Sequence, residues 1–291
     1  MKKILFSTML LGLFANSVLA NDFSLPIWKD KAEALGYVLP EPIGISVGYM
    51  TMEQGIEVDS IALTGLPKSN IFKLGMDAKP GIQKTDVLSL RADTWIFPFL
   101  NVYAMAGVLK GYSKTDVDAS VSVNLDLPWP LPSIDKTYTG TIKDFTLDLD
   151  GYTTGFGMVL AGGYGNWFSL VDASFTQSSL TVIDGQIDAI VISPRLGYDF
   201  ASHGAPIRVW VGAMYQDVEQ NLSGNLSDLG LPPQLSALMP EDARFEVKQH
   251  LTTQWNPLLG MQYQVNKHWY LLGEAGLGER QSLFVSLEHR F

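Results

Sequence analysis

From about residue 43 onward, apolar and polar positions alternate with a period of two, not 3.6. Leu88, Leu90, Ala92, Thr94 and Ile96 share one parity, and Ser89, Arg91, Asp93 and Trp95 the other. Leu100, Val102, Ala104, Ala106 and Val108 repeat the pattern. So do Tyr152, Phe156, Met158 and Leu160, set against Gly151, Gly155, Gly157 and Ala161. Ile207, Val209, Val211, Ala213 and Tyr215 do the same against Arg208, Trp210, Gly212 and Gln216. Such alternation over about ten residues is the mark of a strand with one face in an apolar medium. Ten strands are predicted, near 43–52, 86–96, 100–112, 150–162, 167–178, 187–199, 206–217, 254–265, 268–278 and 281–291. A turn at Glu53-Gln54-Gly55 with a further pass between 66 and 85 would raise the number to about twelve.

A soluble sandwich alternates too, and the connections separate the two cases. Tight turns near Pro98, Gly165, His203 and Lys267 alternate with long connections near 64–85, 113–149, 179–186 and 218–244. All the short turns therefore fall at one end of the sheet, as in barrels with a periplasmic and an external rim. Aromatic residues flank the short turns: Phe97 and Phe99, Tyr164 and Trp167, Tyr198 and Phe200, Tyr263 and Trp269. Tyr112, Tyr152, Phe175 and Tyr215 lie about ten residues away along the strands, at the spacing of two interfacial girdles. The predicted fold is all-β, an antiparallel transmembrane β-barrel of about 10–12 strands with short periplasmic turns and long external loops.

The start of the chain fits that compartment. Lys2 and Lys3 precede an apolar run from Ile4 to Phe14, and Val18-Leu19-Ala20 offers a cleavage site before Asn21. This is the layout of a secretory signal peptide. The run is also well short of the roughly 20 residues a membrane-spanning helix needs. Residues 1–20 are read as the signal, 21–42 as an N-terminal periplasmic segment and 43–291 as the barrel, exported to the outer membrane. Cleavage leaves 18 basic against 30 acidic residues, a formal charge of −12, which argues against nucleic acid as a partner. The chain has no Cys, so neither disulfides nor thiolate metal sites are open to it. Outer-membrane lipid and lipopolysaccharide are the surroundings such a barrel meets. No cofactor and no metal is expected, and the sequence does not specify an oligomeric state.

If the apolar parity faces lipid, the opposite parity lines the lumen. It carries Arg91, Asp93, Asp172, Arg195, Asp199, Arg208, Glu274, Glu288 and Arg290. Two readings stand side by side: a polar conduit with a charged constriction, and an interior packed with carboxylate–guanidinium pairs. Before the first strand, Trp28, Ala32 and Leu35 share one face of a short predicted helix capped by Ser24 and ended by Gly36. That face would fit a plug in the periplasmic mouth. Externally, the alternating segment 119–149 predicts a hairpin turning at Pro128-Trp129-Pro130-Leu131-Pro132. The Leu-rich stretch 218–244 reads as a cap or a lid.

Catalytic patterns are sparse. Only His250, near the external rim, is placed for chemistry, and His250-Leu251-Thr252 departs from the His-x-Ser pairing of outer-membrane phospholipases and lipid A deacylases. The Asp-x-His pairing of omptin-like proteases is absent. Asp144, Asp148 and Asp150 are the nearest approach to an oxygen-ligand Ca²⁺ site, without EF-hand spacing. Three functions follow in order: a channel or passive transporter for a small solute, a sealed structural or surface-interaction barrel, and a lipid-directed hydrolase.

The last ten residues carry a family resemblance. Leu283, Val285, Leu287, His289 and Phe291 alternate to a terminal Phe. This resembles the final-strand signal of Gram-negative outer-membrane β-barrel proteins, apart from His289, where an apolar residue or Tyr is usual. The resemblance implies recognition by the barrel-assembly machinery. Deleting Phe291 should then lower the yield of heat-modifiable barrel in outer-membrane fractions and leave a protease-sensitive periplasmic form. Normal assembly of the deletion would overturn that reading of the terminus.

Overall fold

The computed structural model describes residues 24–65, 72–125, 134–225 and 243–291. Its strands are β1 (Ile43–Thr64), β2 (Phe72–Ala78), β3 (Gly81–Phe97), β4 (Leu100–Leu125), β5 (Ile134–Asp148), β6 (Gly151–Tyr164), β7 (Trp167–Leu180), β8 (Asp184–Asp199), β9 (Ile207–Asn225), β10 (Arg244–Leu251), β11 (Trp255–Gln264), β12 (Trp269–Leu277) and β13 (Gln281–Arg290). One short helix, α1 (Lys29–Ala34), precedes them.

Thirteen strands make ten passes. β2 and β3 both pair with β4 along one edge, on either side of Lys79-Pro80. β5 and β6 share the other edge of β4, and β10 and β11 share one edge of β9. Each of these three pairs is one pass with a local break. The passes close in the order β1-β3-β4-β6-β7-β8-β9-β11-β12-β13 and back to β1, antiparallel throughout. Closure leaves no sheet edge within that ring, so every backbone polar group can find a partner without water. The twelve-strand alternative fails because Glu53-Gln54-Gly55 does not turn. β1 runs through it, paired with β3 as far as Ile56–Gly81.

The outward parity is apolar. Val47, Leu88, Leu90, Phe156, Leu160, Leu196, Val211, Leu259, Leu271, Leu283 and Leu287 are all exposed. In water such a band would be untenable; around a closed barrel it is the lipid-facing belt. Aromatic residues bound it. Near the short turns Phe97 stacks on Phe99, Tyr198 packs against Trp167 and Phe200, and His289 lies edge-on to Trp269. Toward the other rim, Tyr215 meets Trp255 and Phe156 meets Phe175. The chain is a closed transmembrane β-barrel.

Above the ten-strand wall the fold changes. β12 and β13 end in a tight turn at 278–280, whereas β10 continues and pairs with β1 from Ile56–Leu251 to Thr64–Arg244. The wall thus drops from ten strands to eight. Two seams then open. Among the described residues, β1 has no ladder with β2, and β5 pairs with β4 alone. Two flaps result: β2, upper β4 and β5 form one, and upper β1, β10 and upper β9 the other. Val117, Phe145, Leu147 and Met76 of the first pack against Val58, Ile61, Phe245, Val247 and Leu222 of the second, in one apolar cluster. A register shift between Val58 and Ser60 keeps Ile61 and Leu63 on the inner face after a change of parity. Full burial of each such side chain is worth roughly 1.5–3 kcal/mol. The flaps therefore form a small sandwich over the external mouth. The expected external hairpin is the β4–β5 pair; its tip at 126–133, and most of the 218–244 stretch, lie outside the described residues.

The N-terminal helix is shorter than its sequence pattern. Trp28, not Ser24, occupies the N-cap, in a left-handed conformation, and fewer than two turns form. Trp28 leans on Phe97 and Phe99 and stays 52% exposed; Ala32 is buried, and Leu35 is 78% exposed. The three residues do not form one buried face, because Leu35 already lies past the last helical residue. What the segment does instead is span the short-turn rim, from the Ile27 N–H on Ile96 to the Tyr37 hydroxyl on Gly163.

This facing predicts charge tolerance. Val211→Arg, outward at mid-strand, should cost roughly 2–4 kcal/mol in urea refolding titrations. Gln262→Glu, whose side chain meets Arg208 inside, should change stability by less than about 1 kcal/mol. Equal losses would contradict the assigned facing.

Candidate functional site

The inward parity builds a polar lumen with a belt of charge below the external flaps. Adjacent strands deliver the belt because residues two apart on a strand face the same side. β3 supplies Arg91 and Asp93, β4 supplies Asn101 and Tyr103, and β7 supplies Asp172. Arg195 comes from β8, Trp210 from β9, Glu274 from β12, and Glu288 and Arg290 from β13.

Most of these groups are tightly matched. Arg195 donates two hydrogen bonds to Glu274, at 2.7 and 3.0 Å, and the Trp210 indole N–H reaches the same carboxylate at 2.8 Å. Arg290 donates to Asp93 at 2.5 Å, pairs with Glu288 and holds the Glu41 carbonyl at 2.9 Å, which ties the N-terminal segment to the lumen. Asn101 adds a second donor to Asp93 at 2.6 Å. Nearer the β8–β9 turn, Arg208 pairs with Asp199 at 2.7 Å, both partly exposed. Arg91 differs: it lies flat on the Tyr103 ring, 3.6 Å from its centroid, and stays 4.0 Å from both Asp93 and Asp172. The Tyr103 hydroxyl donates to Asp172 at 2.6 Å.

The two large rings lie along the wall. Tyr103 covers Gly157 on β6, and Trp210 covers Gly260 on β11; a Cβ at either glycine would collide with the ring. Rings laid flat in this way leave the axis less obstructed than rings pointing across it.

Above the belt, four amides and a guanidinium cross the lumen. Gln83 of β3 and Gln220 of β9 exchange hydrogen bonds at 2.8 and 3.4 Å. Gln249 donates to Gln220 at 2.8 Å, Gln54 to Gln83 at 3.2 Å, and Arg280 to Gln54 at 3.1 Å. All five are buried. Arg280 sits in the β12–β13 turn, beside the point where the β10–β11 pass changes neighbour from β12 to β1, and also donates to the Thr253 and Gln254 carbonyls. No carboxylate partners it among the described residues, and burial pulls it down to about 10. Over this bridge lies the apolar sandwich.

The nine charged residues singled out from the sequence all have inward parity, and seven surround the belt, with Asp199 and Arg208 nearer the periplasmic mouth. Sequence reading missed Tyr103, Trp210 and the glutamines, although they share the same parity. Nothing in a turn of three residues signals that Arg280 is buried. His250 faces outward, with Nδ1 2.8 Å from Asp59 and Nε2 3.6 Å from Glu57. Among the described residues it meets carboxylates and no hydroxyl, so a hydroxyl–His–carboxylate site is not assembled around it. Asp144 pairs with Lys114 at 3.0 Å, and Asp150 accepts the Gly111 N–H, so these carboxylates serve the β4–β5 flap.

No protein-family model and no curated protein matches the chain. Among solved structures it is similar to the outer membrane protein OprG from Pseudomonas aeruginosa, at 12% identity and a TM-score of 0.41, over 87% of this chain and 98% of that one. An outer membrane channel from Pseudomonas putida matches at 11% identity and 0.38, over 87% and 97%. The Ralstonia pickettii toluene transporter TbuX matches at 11% and 0.30, over 87% and 90%. At such identities the likeness concerns architecture alone.

The belt makes unequal demands on its members. Glu274→Ala strands the Arg195 guanidinium and the Trp210 N–H in a buried site and should cost roughly 3–5 kcal/mol. Asp199→Ala, at an open pair, should cost less than about 1 kcal/mol. Urea refolding titrations of the two variants check this order.

Proposed function

We propose that this barrel is a gated passive route for a small solute across the outer membrane, shut at its external end by the two flaps. The observation that carries the reading is the pair of seams. Because, among the described residues, no backbone ladder joins β1 to β2, or β5 to a second strand, the flaps can part without breaking a continuous sheet. Opening costs the sandwich contacts and the glutamine bridge, whose amides can bond to water or to a polar solute instead. Below them Arg91 and Asp172, partly exposed, present charges of both signs on the wall, the kind of arrangement that sets selectivity in such conduits. The N-terminal segment, held by Arg290 at the opposite rim, narrows the periplasmic mouth.

The second reading, a sealed barrel acting through its external surface, is favoured by the same cap if it never opens. Planar-bilayer recordings separate the two. Wild-type protein should show rare, brief conducting events. Phe245→Asp, which puts a charge into the sandwich, should raise the open fraction by at least about tenfold, the effect of 1.4 kcal/mol on such an equilibrium. A refolded, heat-modifiable Phe245→Asp barrel with no current above the lipid background would establish the sealed reading.

A further inference from the structure

We infer that Arg91 and Asp172 form a binding site for a small zwitterionic solute, one carrying a carboxylate and an ammonium group; this rests on the lumen being a solute route. Every other guanidinium of the belt is closed on a carboxylate at 2.7 Å or less. Among the described residues Arg91 has one hydrogen bond, to the neutral Asn101 amide at 3.3 Å, which leaves most of its five N–H donors unspent there. Arg290 and Asn101 both hold Asp93 Oδ2, and Arg91 Nε stays 4.0 Å from Oδ1, beyond hydrogen-bond reach.

Asp172 has the complementary deficit. One oxygen accepts the Tyr103 hydroxyl, while the other stands 4.0 Å from Arg91 Nη1, too far for a hydrogen bond. Arg195 also faces Asp172, but its Nε and Nη2 donate to Glu274 and its Nη1 to the Ser193 carbonyl. The Arg91 and Asp172 side chains keep 29% and 21% of their surface accessible, so the gap between them opens to the lumen.

Charge decides the ligand class. A simple anion on Arg91 would lie against Asp172 and Asp93, and a simple cation on Asp172 would lie against Arg91 and Arg195. A zwitterion meets neither penalty: its carboxylate takes the fork of Arg91 and its ammonium takes the free oxygen of Asp172. Tyr103 fixes both ends, as the platform under the guanidinium and the donor to the carboxylate. The fixed fork costs little ordering on binding.

The test uses the full mature protein in detergent micelles, with saturation-transfer NMR of L-alanine, of propionate, which lacks its ammonium, and of ethylamine, which lacks its carboxylate. Alanine should bind saturably, at least about tenfold more tightly than either singly charged probe, as the loss of one charge-assisted contact implies. Arg91→Gln and Asp172→Asn should each remove that preference, and Arg208→Gln should retain it. Equal binding of alanine and propionate by wild type would overturn the site, and this comparison requires no variant to fold. Retained preference in a folded Arg91→Gln barrel would overturn it as well. Uptake of labelled alanine into proteoliposomes separates the two inferences. Uptake without binding preference defeats the site alone, and preference without uptake upholds the site and defeats the solute route.

Discussion

Lipid offers no hydrogen bonds, and that single constraint governs the architecture. Within the bilayer each strand must give both edges to neighbours, so ten passes close on themselves and β1 meets both β3 and β13. Outside the bilayer the constraint lapses, and the fold departs from closure there. β1 and β5 each give up a neighbour on one edge, the seams open, and water can satisfy what the ladder abandons. The apolar effect then takes over, and the flaps collapse on each other because their inner faces are apolar. The polar lumen below and the apolar cap above thus reflect two different solvents acting on one continuous set of strands.

The belt and the bridge use polarity differently. Arg195, Glu274 and Trp210 satisfy one another so fully that they behave as part of the wall. A matched buried pair is costly to break yet contributes little beyond an apolar substitute, so its persistence reflects geometry more than stability. The glutamine bridge is neutral, carries no Born penalty of its own, and exchanges partners at low cost. Arg280 is the exception, a buried cation held by carbonyls and an amide.

Much of this was legible in the sequence, because a period of two assigns each residue to a face. Arg91, Asp93, Glu288 and Arg290 were placed inside by parity, and the segregation of short from long connections oriented the barrel. What was hidden came from contacts that periodicity does not encode. Glu53-Gln54-Gly55 resembles a turn but is held extended by β3 on one side and β13 and β10 on the other. The Trp28, Ala32 and Leu35 stripe obeys helical spacing, yet the helix ends before its third member. Pairing of β10 with β1 joins segments nearly 200 residues apart, and no local pattern announces it.

That pairing also fixes how the cylinder is registered. A barrel closed by one ladder can slip by two residues and still bury the same faces. Here β1 is held against the later part of the chain twice, by β13 along its lower half and by β10 along its upper half, with a bulge within the upper stretch. A slip that suits one ladder misaligns the other, and the bulge at Val58 and Ser60 accommodates only one offset. The short final hairpin, which looks like an omission in an otherwise tall wall, therefore acts as a vernier: two scales of different length that coincide at a single setting.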